Sequence, residues 1–216
     1  MKSYSNISLI IKRIHKISKQ YKNELVNKTF LILYEGKAVE ITYRIDNFLH
    51  LCGVETNLTA KDFYRRAVHS KLSCKEIQFT QKHPYNLAEI KTKHLSKALS
   101  LINRDAFVVS DITTQTKSFI LGTTDLEIVL CFDLQINKSG KIISPILIPY
   151  SLRVEDIPNN KFSNMYEVDY VLSKETGTKH YMNIEYGNPD FLTSYLEKYS
   201  ISDFSINISN QNSSTK

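Results

Sequence analysis

The sequence predicts an α+β fold, with helices in its N-terminal part packed on an antiparallel β-sheet drawn mainly from its later part. Three observations predict it. Apolar residues recur at three- and four-residue spacing between Ile7 and Leu25, as they do in an amphipathic helix. Between Val39 and Ile45 they alternate with polar residues, as they do in a strand with one buried face. Beyond Ala106, short β-branched and aromatic runs follow one another with turn residues between them. At 216 residues the chain suffices for one substantial core, and no repeat or Pro/Gly/Ser linker divides its sequence. The organisation expected is an N-terminal amphipathic helix at 1–28, a single α+β domain at 29–204 and a disordered polar tail at 205–216.

In the first helix Ile7, Ile10, Ile11, Ile14, Ile17, Ser18, Tyr21 and Leu25 share a face, and Lys12, Arg13, Lys16, Lys19 and Lys22 cover the other. That charged face is either solvated or laid against a nucleic-acid backbone. Residues 29–34 and 39–45 read as a hairpin turning at Glu35-Gly36-Lys37. Thr59 precedes a helix through Phe63 and Ala67, and Ser73-Cys74-Lys75-Glu76 has capping-box spacing. Asn86 caps a longer helix with Leu87, Ile90, His94, Ala98 and Leu101 on one side. Strands are then expected at 107–109, 118–121, 128–132, 145–148, 168–172 and 181–184, and a last short helix at 189–199.

The net charge of +6 and a pI near 9.0 favour a polyanionic partner. Cys52, Cys74 and Cys131 are odd in number and show no paired spacing, which argues against a disulfide framework or a structural zinc site and fits a reducing cytoplasm. No apolar stretch reaches membrane-spanning length. The sequence has no Gly-rich phosphate loop, metal-ligand cluster or nucleophile elbow, so no metal or cofactor is implied. His50 is where a functional argument starts. It follows an alternating strand and precedes a turn, where an imidazole sits at the open end of a sheet and moves protons near neutrality. The alternative is a histidine packed under a loop among Phe48, Leu49 and Leu51.

Asn47-Phe48-Leu49-His50-Leu51-Cys52-Gly53-Val54, then Phe63-Tyr64, then Pro149-Tyr150-Ser151-Leu152-Arg153-Val154-Glu155-Asp156 and the strand Tyr170-Val171-Leu172-Ser173-Lys174 come in a telling order. From Tyr21 to Tyr186 the chain resembles a phage- and mobile-element-associated nuclease family of the barnase–EndoU–colicin–RelE (BECR) superfamily. The resemblance implies helices on a four-stranded antiparallel sheet, with RNA held across it and cut without metal. It makes His50 the proton-transfer group and Arg153 the phosphate clamp. Ser151 becomes a phosphate or ring contact, or simply a turn cap. Lys174 is a second cation, with Arg65 and Arg66 as further RNA contacts, and Tyr64 or Tyr150 stacks a base. The chain departs from its relatives at Tyr150, where they tend to carry a basic residue, and so lacks one phosphate contact.

Two other functions fit the same residues. One is a catalytically inactive module holding RNA, DNA or a host protein; the other is an assembly role through the abundant Tyr and Phe. The partners expected are RNA and a host or immunity protein, with no membrane.

Overall fold

The computed structural model describes residues 4–114, 117–137, 139–154 and 162–208. Ile10, Ile14, Ile17 and Tyr21 line one side of α1 (Tyr4–Glu24) and are buried, as is Leu25 directly beyond it. The hairpin follows as β1 (Lys28–Tyr34) and β2 (Lys37–Thr42). Glu35 and Gly36 both have positive φ, 43° and 72°. This two-residue turn has the twist that a tight hairpin requires. β1 is apolar from Phe30 onward because both of its faces are covered there: Phe30, Ile32 and Tyr34 join the main core, and Leu31 and Leu33 a second cluster.

Four helical segments come next: α2 (Phe48–Cys52), α3 (Ala60–Val68), one 3₁₀ turn at Cys74–Glu76 and α4 (Tyr85–Leu99). The expected capping box is present, with the Glu76 carboxylate accepting from the Ser73 backbone N–H and hydroxyl. The remaining strands are β3 (Phe107–Thr113), β4 (Ser118–Thr124), β5 (Val129–Ile136), β6 (Ile142–Arg153), β7 (Asn164–Glu167), β8 (Tyr170–Glu175) and β9 (Asn183–Tyr186), followed by α5 (Leu192–Lys198).

Among the described residues the strands form one sheet in the order β7-β3-β4-β5-β6-β2-β1-β8-β9. All neighbours are antiparallel except β2 and β6, which run parallel through Ile41 and Leu147. The sheet is therefore mixed and nine-stranded, where the resemblance implied four antiparallel strands. β2 cannot pair in sequence with the strands that follow it, because the helical segment 48–99 intervenes and β6 reaches it by a long crossover. The sheet also rolls. Only Val168 and Asp169 join β7 to β8, with Val168 N–H donating to Ala106 O (3.2 Å) and Asp169 N–H to Leu33 O (2.9 Å). The three steps from Glu167 to Tyr170 reach roughly 10 Å, far less than the width of the strands between them laid flat. The main core lies between one face of this sheet and α1–α4, and the second cluster lies under α5 on the other face.

Two expectations shift. α4 buries Ala88, Lys91, Thr92, Leu95, Ala98 and Leu99, while Ile90 is 43% exposed. The buried stripe is displaced by about one residue, or roughly 100° around the helix. The cause is close approach: Gly53 lies over Ala88, where a Cβ would sit 3.6 Å from the Ala88 Cα. The polar tail also begins later than 205. Tyr181 N–H donates to Ser205 O, Asn207 N–H donates to Tyr181 O, and Ile206 and Ile208 pack on the second cluster. The tail from 209 onward lies outside the described residues.

Candidate active site

His50 sits on α2, a five-residue helix, and not at the junction of a strand and a turn. The chain reverses after β2 through Arg44–Asn47, where Arg44 N–H donates to Asn47 Oδ1 (3.2 Å) and Asn47 N–H to Arg44 O (3.1 Å). α2 then drives Phe48, Leu51 and Cys52 fully into the core, which leaves His50 exposed on the outer side. Gly53 closes the helix in the left-handed region at φ 69°. The His50 ring lies parallel to that of Tyr150, with centroids 6.3 Å apart and planes 7° apart.

Tyr150 reaches that position through a β-bulge. In the β5–β6 ladder Cys131 pairs with Ser151 and Phe132 with Pro149, so Tyr150 is an extra residue on β6. Such insertions re-aim side chains, and Tyr150 is 43% exposed. Lys117 Nζ lies 3.5 Å from the Tyr150 ring centroid and pairs with Asp133 at 2.7 Å. Ser151, half-buried, faces Cys131 across the ladder, and Arg153 ends β6 with its guanidinium 3.4 Å from Thr114 Oγ1.

A second histidine stands beside His50. Both line an open pocket of about 260 Å³, together with Leu49, Gly53, Val54 and Glu55. A tight turn holds His83: its backbone N–H donates to Thr80 Oγ1 (3.1 Å) and its carbonyl accepts from Thr80 N–H (3.1 Å). Thr80 also donates to Glu55 Oε1, which lies 3.9 Å from His83 Nε2. The sequence reading missed His83, because nothing in its local pattern marks it.

Lys91 of α4 does not line the histidine pocket; its stem lies directly behind Gly53, which does. Lys91 is only 7% exposed. Burial, then the charge of Arg153, brings its ammonium down to about pKa 8, although the Cys52 and Cys131 thiols act the other way. Desolvation by the crowding protein and then the Lys91 charge lower the His50 pKa, with Asp46 opposing. The outward side of the His50 residue remains open to solvent, so this shift is a modest one. His83 is lowered by desolvation, against the pull of Glu55 and with Lys91, Lys82 and His50 adding to the effect. Both imidazoles are thus biased towards the neutral form below the usual 6.5. Burial leaves Cys52 and Cys131 as thiols, the latter raised to about 12.

The chain matches the family described as phage-Barnase-EndoU-ColicinE5/D-RelE like nuclease 4 (PBECR4) over residues 13–189. It belongs to the PBECR4 nucleases. No curated protein and no solved structure matches it. Membership makes nucleic acid the substrate of this PBECR4 chain and agrees with the α+β architecture. No helix among the described residues is long and apolar enough to cross a membrane.

Of the residues expected at a PBECR4 site, the structure sets His50 parallel to Tyr150, whose strand continues through Ser151 to Arg153, and the charge of Lys91 acts on His50 as that of Arg153 acts on Lys91. Arg153 does not line the histidine pocket; its charge reaches the pocket side through Lys91. Lys174 lies elsewhere. It pairs with Glu40 at 3.1 Å and covers the ring of Tyr181, which itself bonds Glu40. Arg65 and Arg66 are exposed on α3 and pair with Asp62 and Glu76. Glu155 and Asp156 of the third motif lie outside the described residues.

Tyr64 corrects an expectation outright. It is buried in the core against Tyr21 and Phe48 and offers no face to a base. Its hydroxyl is buried with no hydrogen-bond partner among the described residues, and an unmet buried hydroxyl costs stability. Tyr64→Phe should therefore raise unfolding stability by about 1 kcal/mol in urea denaturation; a drop of that size would mean the hydroxyl is satisfied.

Proposed function

We propose that this PBECR4 chain is an endoribonuclease that cuts RNA by attack of the ribose 2′-hydroxyl on the adjacent phosphorus. One imidazole takes the 2′-hydroxyl proton as the O2′–P bond forms. Another group protonates the 5′ oxygen as the P–O5′ bond breaks, leaving a 2′,3′-cyclic phosphate and a 5′-hydroxyl. His50 is one proton-transfer group. The observation that carries the reading is that His50 and His83, two imidazoles biased towards neutrality, share one open pocket beside a cluster of cations. Arg153 supplies charge to the phosphorane-like transition state, with Ser151 beside it as a phosphate contact. Tyr150, exposed next to His50, provides a ring for a base to stack on.

The test is to incubate the protein with one sequence as RNA and as DNA and to identify the ends produced. RNA should be cut to 2′,3′-cyclic phosphate ends while DNA stays intact, because DNA lacks the nucleophile. Cleavage of DNA at a similar rate, or RNA bound and left whole, would overturn the reading; the second outcome would favour an inactive binding module.

A further inference from the structure

We propose that Lys91 is a phosphate-binding residue of this site, held unpaired by the fold so that its charge remains available to a substrate phosphate. The inference deepens the ribonuclease reading and rests on it. Among the described residues, every lysine that is not exposed pairs with a carboxylate, with one exception. Lys28 pairs with Glu185, Lys97 with Asp125, Lys117 with Asp133 and Lys174 with Glu40. The exception, Lys91, is the most buried of all. The groups that act on its charge are Arg153 and the Cys52 and Cys131 thiols, and it acts in turn on His50 and His83. No carboxylate is among them.

A buried cation without a counter-ion opposes folding. The fold nevertheless makes room for it. A Cβ on Gly53 would stand 2.7 Å from Lys91 Cδ and 3.6 Å from Cγ, so the lysine stem runs through space that only glycine leaves open. Gly53 also closes α2, the helix that carries His50. The same residue therefore seats the ammonium stem and orients the imidazole. A second cation, Arg153, lies close enough to depress the Lys91 ammonium. A buried ammonium without a carboxylate partner is relieved when a dianion or a phosphodiester comes within reach of it. That is the chemistry of a phosphate site.

The experiment measures inorganic phosphate binding and thermal unfolding in the wild type and in Lys91→Met, which keeps the length of the stem and removes the charge. Phosphate should raise the wild-type unfolding midpoint. In Lys91→Met the dissociation constant for phosphate should weaken by roughly 10- to 100-fold, while the midpoint without phosphate should rise. A merely structural lysine would leave phosphate affinity unchanged and would lower the midpoint when replaced, and either result overturns the proposal. If Lys91→Met does not fold, Lys91→Gln is read by its phosphate affinity, and wild-type affinity there overturns it as well. RNA cleavage by the wild type, assayed in parallel, separates the two readings. Phosphate binding lost in the variant while RNA stays whole removes the ribonuclease and keeps the anion site; cleavage with phosphate affinity kept in the variant removes Lys91 alone.

Discussion

His50→Ala should slow RNA cleavage by on the order of 10²–10⁴-fold and leave the unfolding midpoint close to that of the wild type. The two halves of this expectation have separate causes. In the proposed mechanism the imidazole moves a proton in the step that makes or breaks a P–O bond, so its loss would act on the transition state. The residue itself is exposed, its ring contact is with Tyr150, and burial on α2 is carried by Phe48, Leu51 and Cys52. Exposed substitutions of this kind change stability by about 0.5 kcal/mol or less, and alanine favours the helix. The pH–rate profile adds a sign. Desolvation and then the Lys91 charge lower the His50 pKa, so the neutral base persists below 6.5 and the acidic limb should fall there. Cleavage by His50→Ala at the wild-type rate, or an acidic limb above 6.5 in the wild type, would remove His50 from the chemistry.

The spacing of Ile10, Ile14, Ile17 and Tyr21 was legible as the buried face of α1 because one helix decides its own periodicity. The β1–β2 hairpin was legible for the same reason, since Glu35-Gly36 fixes it within the chain. What escaped is whatever another element decides. β6 meets β2 across more than a hundred residues, and no local pattern announces that parallel pair. Lys174 reads as a free cation at a strand end until Glu40 arrives from β2. The face that α4 buries depends on where α2 ends: Gly53 against Ala88 turns Lys91 inward and Ile90 outward. His83 is placed by a turn whose hydrogen bonds come from Thr80, and its partner Glu55 lies in another segment. The candidate site was thus readable on its two motif strings and unreadable where the fold joins them.

Phe48→Ala should cost about 3–5 kcal/mol of stability and take nuclease activity down with it, although Phe48 touches no reacting group. The side chain is completely buried, and its ring lies 5.1 Å from that of Tyr21, 5.6 Å from Tyr64 and 6.2 Å from Phe63. Alanine removes the burial and these ring contacts together and leaves a cavity between α1, α2 and α3. A five-residue helix has no stability of its own, and α2 is anchored by Phe48, Leu51 and Cys52, with Leu49 packed against the same core. Loosening that anchor moves His50 relative to Tyr150 and His83, and a displacement of about 1 Å can cost two orders of magnitude in rate. The signature is the reverse of His50→Ala: a lower urea midpoint and lost cleavage in one variant, unchanged stability and lost cleavage in the other. Phe48→Leu, which refills most of the volume, should recover much of both. A Phe48→Ala protein destabilised by less than about 1 kcal/mol would mean that α2 is held by something other than its aromatic root, and that the site does not depend on the core beneath it.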